Sequence, residues 1–377
     1  MMAENELRVN AYEAANRRFV GGRLHTGGQA YFEKLSDEPF DDTELFLSPG
    51  FIDMHVHLFD GYGIFGMHAS LFGHRWGVHA MSDAGSCGFD NIDGFYKYII
   101  PTYRGVTKPK LWIHVNRFGL PSNHESIDFS TLRPELAARA AREHAGDVVG
   151  IKVRLNCDIP EKDCLVPLDR ALEAAELAGL PLMVHISQGP PNCEDILPRL
   201  RKGDVVTHIF NGKPGSPWKA DGSPSDELLD AQRRGVLFDV AHGFSSFNFN
   251  TCRGALEHGF RDVSVSTDMH KRCFAGKPFT FTDVMSKLYA CGMTLEEIVW
   301  GATAKPAAML GFDGWTDMDA LCGHGTLFSF RENTEKRVFF DGFGNTAIPD
   351  KVFHAESVLV DGELIACDDV PPAVDLG

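Results

Sequence analysis

Between about residues 50 and 312 the chain alternates apolar, β-rich runs with amphipathic stretches. The apolar runs are FIDMHVHLF (51–59), VHAMSDAG (78–85), KLWIHVNRFG (110–119), VVGIKVRL (148–155), PLMVHIS (181–187), DVVTHIFNG (204–212), VLFDVAHG (236–243) and DVSVSTDMH (262–270). Several are continuously apolar, as expected of parallel strands covered on both faces. Between them PELAARAAREHA, PLDRALEAAELAG, SDELLDAQRRG and NFNTCRGALEHG carry helical spacing, and glycine closes several of these segments. Eight strand–helix units predict an α/β fold, a (β/α)8 TIM barrel over 49–312, in preference to an open doubly wound sheet. The ends differ. Residues 1–48 contain VGGRLHTGGQAYFEKL and DDTELFLSPG, and 313–377 contain GTLFSFREN, KRVFFDGFG, VFHAESVLV and GELIAC. These short β-like runs, broken by Gly, Asp and Asn, predict one small β-domain built from both termini. The length fits, because a barrel alone takes roughly 250 residues.

Charge narrows the partners. With 36 basic against 52 acidic side chains the net charge is −16, which argues against non-specific nucleic-acid binding. An anionic substrate is still compatible, since a cationic pocket can sit inside an acidic protein. No apolar run approaches the roughly 20 residues of a membrane span. The first residues, MMAENELRVNAYEAANRRF, lack the apolar core of a signal peptide. The nine cysteines show no CxxC and read as reduced thiols. Together these predict a cytoplasmic protein acting on a small molecule, with self-association left open.

The chemistry is expected where barrel strands end, since active sites of this fold lie on that face. The first run offers His55 and His57, two residues apart and therefore on one face, so both can reach one ion. The fourth offers Lys152, the fifth His185, the sixth His208 and the eighth Asp268. Lys152 to His185 is 33 residues and His185 to His208 is 23, one unit each. His208 to Asp268 is 60, two units, and His57 to Lys152 is 95, three units. A lone histidine in a β-run is usually structural, but four at barrel periodicity, with a lysine and an aspartate, point to a metal centre. Lys152 stands in an otherwise apolar strand, where an unpartnered ammonium is costly. Two readings are open: an ion pair with a carboxylate such as Asp268, or addition of CO2 to give a carbamate anion bridging two cations.

These residues resemble the amidohydrolase superfamily, specifically its dihydroorotase-like metallohydrolases. The carrying motifs are SPGFIDMHVH (48–57), SDAGS (82–86), VGIKVRL (149–155), LMVHIS (182–187), VVTHIFNGKP (205–214), FDVAHG (238–243) and VSTDMH (265–270 contains its Asp268). NGKP, the AHG step and FTDVMSKLYACGMTLEEIVWGATAKPA (281–307) look most like the deacetylase-like branch, which includes hydrolases of acylated 2-hydroxy acids. The resemblance implies that His55, His57 and Asp268 hold one divalent ion and His185 and His208 a second. It also implies that carboxylated Lys152 bridges them. Zinc is the first expectation, although such sites also accept Mn, Fe or Co. The position two residues beyond HxH, usually Arg in dihydroorotases, is Phe59, which argues against dihydroorotate as substrate.

The expected activity is hydrolysis of an acyl ester or amide on a small carboxylate-bearing substrate, an acylated 2-hydroxy acid or an N-acyl amino acid, with Asp268 as catalytic proton shuttle. A cyclic amide or imide hydrolase and a non-catalytic dihydroorotase-like protein are the alternatives. Deamination typically uses one metal and no carbamate, so Lys152 argues against it. Arg117, Asn211, Lys213 and His242 are the substrate-binding candidates, with Asp83, Ser86 and the cations at 270–272 nearby. Asp53 is expected to orient a histidine ligand.

Overall fold

The computed structural model describes residues 5–27, 30–103, 109–274 and 277–371. The remaining residues of the expected terminal β-domain, 1–4, 28–29 and 372–377, lie outside the described residues. The strands are, in order, β1 (Asn5–Glu13), β2 (Arg18–Thr26), β3 (Tyr31–Lys34), β4 (Leu45–Pro49), β5 (Phe51–Val56), β6 (Val78–Gly88), β7 (Lys110–His114), β8 (Val148–Arg154), β9 (Leu182–His185), β10 (Val205–Thr207) and β11 (Leu237–Asp239). After the last helices come β12 (Gly325–Glu332), β13 (Phe339–Phe340), β14 (Thr346–Ala347), β15 (Lys351–Val360) and β16 (Glu363–Ala366).

Strands β5 to β11 form a curled parallel sheet in chain order. Every residue of β5 and β6 is buried, which is why these strands read as apolar runs without alternation. Helices cross between them where predicted. Pro134–Glu143 starts with proline in its first turn, and Val166–Ala178 stops at Gly179 in the left-handed region. Asp226–Arg234 is capped by the Ser225 hydroxyl accepting from the Leu228 N–H, and Phe249–Glu257 by the Asn248 side chain.

The eighth predicted strand is a correction. Residues 262–270 form no strand and instead run between the two sheet edges, with single parallel bridges, Asp239 to Ser264 and Val56 to Met269. The sheet is therefore a seven-stranded, distorted TIM-barrel arrangement rather than a fully closed eight-stranded barrel. Polar side chains divert this segment from a regular ladder. Ser264 and Ser266 donate to Asp239 Oδ1, each at 2.7 Å, and the Thr267 N–H donates to Asp53 Oδ1 at 3.0 Å. Asp268 then takes a φ of 50°, incompatible with a strand.

The ends of the chain build a second seven-stranded sheet, in the order β16-β15-β12-β4-β1-β2-β3. β1 pairs antiparallel with β2, and β4 joins the two terminal segments by running parallel to β1 and antiparallel to β12. Its core is aliphatic, with Val9, Ala11, Val20, Leu24 and Leu47 fully buried. Among the described residues no helix is long and apolar enough to cross a membrane.

Candidate metal centre and its cavity

The predicted ligands converge at the C-terminal ends of the parallel strands. His55 lies in β5 and His57 one residue beyond it. Lys152 is in β8, His185 ends β9, and His208 follows β10 at a φ of 67°. Two non-glycine residues at positive φ, His208 and Asp268, thus face one centre, and such strained positions gather at functional sites. One ligand atom each from His55, His208 and Asp268 lies within 4.8 Å of the others. Asp268 Oδ1 is 3.2 Å from His57 Nε2 and 3.5 Å from His55 Nε2. The His185 ring packs edge-on to His208 at 4.2 Å between centroids.

Each of three imidazoles has Nδ1 held from behind. His208 Nδ1 is 2.7 Å from the Ala241 carbonyl, His57 Nδ1 is 3.0 Å from Ser86 Oγ, and His55 Nδ1 is 3.3 Å from Asp239 Oδ2. A carbonyl only accepts, so His208 carries its proton on Nδ1 and its lone pair on Nε2. That Nε2 is buried and has no hydrogen-bond partner, which fits a metal ligand. Burial also keeps the rings neutral, the ligand form: His208 is pushed down to about 3 and His57 to about 4, and His55 and His185 also lie well below the usual value.

The supporting carboxylates are themselves bonded. Asp83 accepts from the backbone N–H of Leu58, Gly85 and Ser86, which places Ser86 against His57. Asp53 accepts from Thr267 and, at 3.4 Å, from the His55 N–H. Burial raises Asp53 to about 7 and Asp239 to about 6. Lys152 is fully enclosed, its Nζ 3.4 Å from His55 Nε2 and from Met183 Sδ. Among the described residues no carboxylate pairs with it within 4.0 Å. Burial lowers it to about 8, against the opposing fields of Asp268, Asp239 and Asp83. Gly85, at a φ of 92°, makes room for it, since a Cβ there would stand 2.6 Å from Lys152 Cγ.

The centre opens into a cavity of about 210 Å³, with His55, His57, Lys152, His185 and Asp268 in its wall. Of the substrate candidates, Lys213 lines the cavity, half-buried, with Nζ 3.3 Å from Ser187 Oγ. His270 and Arg272 line it too. Arg117 does not: it is about half exposed and pairs with Asp90, its Nε 2.6 Å from Oδ2. The reason is that β7 stops at His114, so Arg117 turns onto the rim. Asn211 is buried and braces its own loop, donating to the His208 carbonyl and accepting from the Lys213 N–H. His242 lies outside the cavity wall, stacked near Phe247 and Phe279, with Nε2 2.9 Å from Lys287 Nζ. The reading of the sequence missed Arg154, Ser187 and Asp239. Arg154 had a signal, standing two residues after Lys152 on the same strand face.

No protein-family profile matches the chain. Similarity to individual proteins is nevertheless extensive. The chain is 30% identical to a deacetylase of Enterococcus faecalis over 85% of its length and 86% of the relative's. It is 30% identical to a deacetylase of Agrobacterium fabrum over 78% and 72% of the two chains. Among solved structures it superposes on an adenine deaminase with a TM-score of 0.82 at 25% identity, covering 95% of this chain and 98% of that one. A dihydroorotase follows with a TM-score of 0.79 at 27% identity, covering 92% and 94%. The chain belongs to the amidohydrolase superfamily, in its dihydroorotase- and deacetylase-like branch. As such it is a metal-dependent hydrolase.

Proposed function

We propose that the chain holds two divalent ions and hydrolyses an acyl ester or amide bond of a small carboxylate-bearing substrate, either an acylated 2-hydroxy acid or an N-acyl amino acid. The observation that carries this reading is the shared cavity: neutral histidines and Asp268 on one part of its wall, and the cation Lys213 on another. The names of the deacetylase relatives support an acyl substrate.

In this reading His55, His57 and Asp268 hold one ion and His185 and His208 the other, with residues 262–270 standing in the place of an eighth barrel strand. The two termini, 1–48 and 313–377, serve as the accessory β-domain. Lys152, deprotonated at little cost in its buried setting, would add CO2 with release of a proton, and the resulting carbamate anion would serve as a further ligand for the ions. Bound divalent ions would acidify a water molecule to near neutrality and polarise the scissile carbonyl. Asp268 carries the proton from the attacking water to the leaving oxygen or nitrogen at Oδ2. Gly243 keeps that oxygen accessible, because a Cβ there would stand 2.5 Å from it. Asp239, Ser86 and the Ala241 carbonyl keep the three imidazoles aimed inward.

The likeness to a dihydroorotase supports a second reading, hydrolysis of a cyclic amide or imide. A panel of O-acyl 2-hydroxy acids, N-acyl amino acids and cyclic amides with zinc-loaded enzyme separates the two. Turnover of the open-chain acyl acids is expected. Turnover of cyclic amides alone would replace the first reading with the second.

A further inference from the structure

Lys213 is a half-buried ammonium whose only hydrogen-bond partner among the described residues is the Ser187 hydroxyl. An ammonium withdrawn from water without an anion is unfavourable, so the site is complete only with one. The neighbouring cation in the wall, Arg154, is built differently. Its side chain is 12% exposed and its fork engages Glu125, whose side chain is wholly buried. Arg154 Nε donates to Glu125 Oε1 at 2.8 Å and Nη2 to Oε2 at 3.1 Å, and Nη2 also donates to the Asn123 carbonyl. Three of the five guanidinium N–H groups are thereby used, and the two on Nη1 remain. Both oxygens of Glu125 face Arg154, and among the described residues no carboxylate lies within 4.0 Å of Lys213 Nζ. The loop that carries Glu125 is held at two points: Asn116 Nδ2 donates to the Glu125 carbonyl at 2.7 Å and Ser126 Oγ to the Arg154 carbonyl at 2.9 Å.

We propose that Arg154 and Lys213, with the Ser187 hydroxyl, form the clamp for the substrate carboxylate, and that Glu125 is a positioning residue that fixes the Arg154 fork. The inference rests on the carboxylate-bearing substrate class proposed above and assigns the residues that read it. Arg154 follows Lys152 by two positions on one face of β8, so the clamp adjoins the metal centre. A carboxylate held there leaves its α-substituent beside the centre, which selects substrates acylated on the carbon next to the carboxylate.

The test compares kcat/KM for O-acetyl lactate and its methyl ester, together with calorimetric binding of lactate and lactamide to the zinc-loaded enzyme. The wild type should favour the acid by about ten- to a hundredfold, as expected for charge-assisted hydrogen bonds. Lys213→Met should remove most of that preference, lowering kcat/KM for the acid far more than for its methyl ester. Arg154→Met alone strands the buried Glu125 charge, so Arg154→Met/Glu125→Gln is the informative variant, and it too should lose the preference. Glu125→Gln should lower the acid-to-ester ratio by loosening the Arg154 fork, whereas a purely structural role would lower both rates and leave the ratio unchanged. A wild type that prefers the acid and keeps that preference in Lys213→Met and in the double variant would overturn the clamp. A wild type that treats acid and ester alike would instead overturn the substrate class itself.

Discussion

The two seven-stranded sheets bury polar groups to different ends. In the mixed terminal sheet, buried polar side chains tie chain segments together and are satisfied in doing so. Asn10 both donates to and accepts from the Phe40 backbone, and Thr326 Oγ1 accepts from the Phe51 N–H and donates to the Gly77 carbonyl. In the parallel sheet the buried polar groups face one another at the strand ends, and the lone pair of His208 Nε2 is left without a partner. Burial of a polar residue therefore does not mark function here. Convergence of several around an unsatisfied lone pair does.

That contrast predicts activity without stability effects in one sheet and the reverse in the other. The largest expected effect is that of Asp268→Asn, which should lower kcat by about 10²–10⁴-fold, the usual scale for a positioned proton carrier. Its thermal unfolding should stay near that of the wild type. In the terminal sheet, Phe328 is fully buried among Phe46, Phe51 and Phe353. Phe328→Ala should cost about 3–5 kcal/mol in denaturant unfolding and leave kcat per folded molecule unchanged. A Phe328→Ala protein that is stable but inactive would break the comparison.

Two smaller effects sharpen it. Asp239 does not line the cavity at the centre, yet its Oδ2 holds His55 Nδ1, so Asp239→Asn should weaken metal affinity or activity by about 10–100-fold. Metal titration against a competing chelator measures this, and unchanged affinity would show that His55 needs no such support. Between the sheets, His79 of β6 bonds the Gly325 carbonyl of β12 at 2.9 Å, and burial lowers it to about 3. Its folded pKa lies below the unfolded value of about 6.5, so the unfolded chain binds the extra proton. The stability contribution is complete above pH 6.5 and is lost as pH falls from 6.5 towards 3. His79→Gln should flatten the acid side of the unfolding-midpoint profile over that window. An unchanged acid slope would show that His79 takes no part in it.

The two sheets were also unequally legible. Strands β5 to β11 announce themselves as apolar runs because both faces are covered, and their polar ends carried the candidate ligands in register with the strand–helix repeat. The eighth strand misled, since DVSVSTDMH has β-branched composition while its hydroxyls bond Asp239 and Asp53 instead of feeding a ladder. Arg117 misled for a related reason: the apolar run continues past His114, but the strand does not. The pairing of β4 with β12 spans 280 residues, as between Leu47 and Leu327, so no local pattern announces it, whereas β1 pairs locally with β2. Second-layer groups such as Asp239 and Glu125 belong to segments distant in sequence from what they hold, and only the fold brings them there.

The central claim is that the cluster of His55, His57, Lys152, His185, His208 and Asp268 holds a catalytic pair of ions. Elemental analysis of active protein purified without chelator tests it most directly, alongside His208→Ala. About two divalent ions per chain are expected in the wild type, with both occupancy and activity lost in the variant. Full activity in a preparation stripped of metal would contradict it.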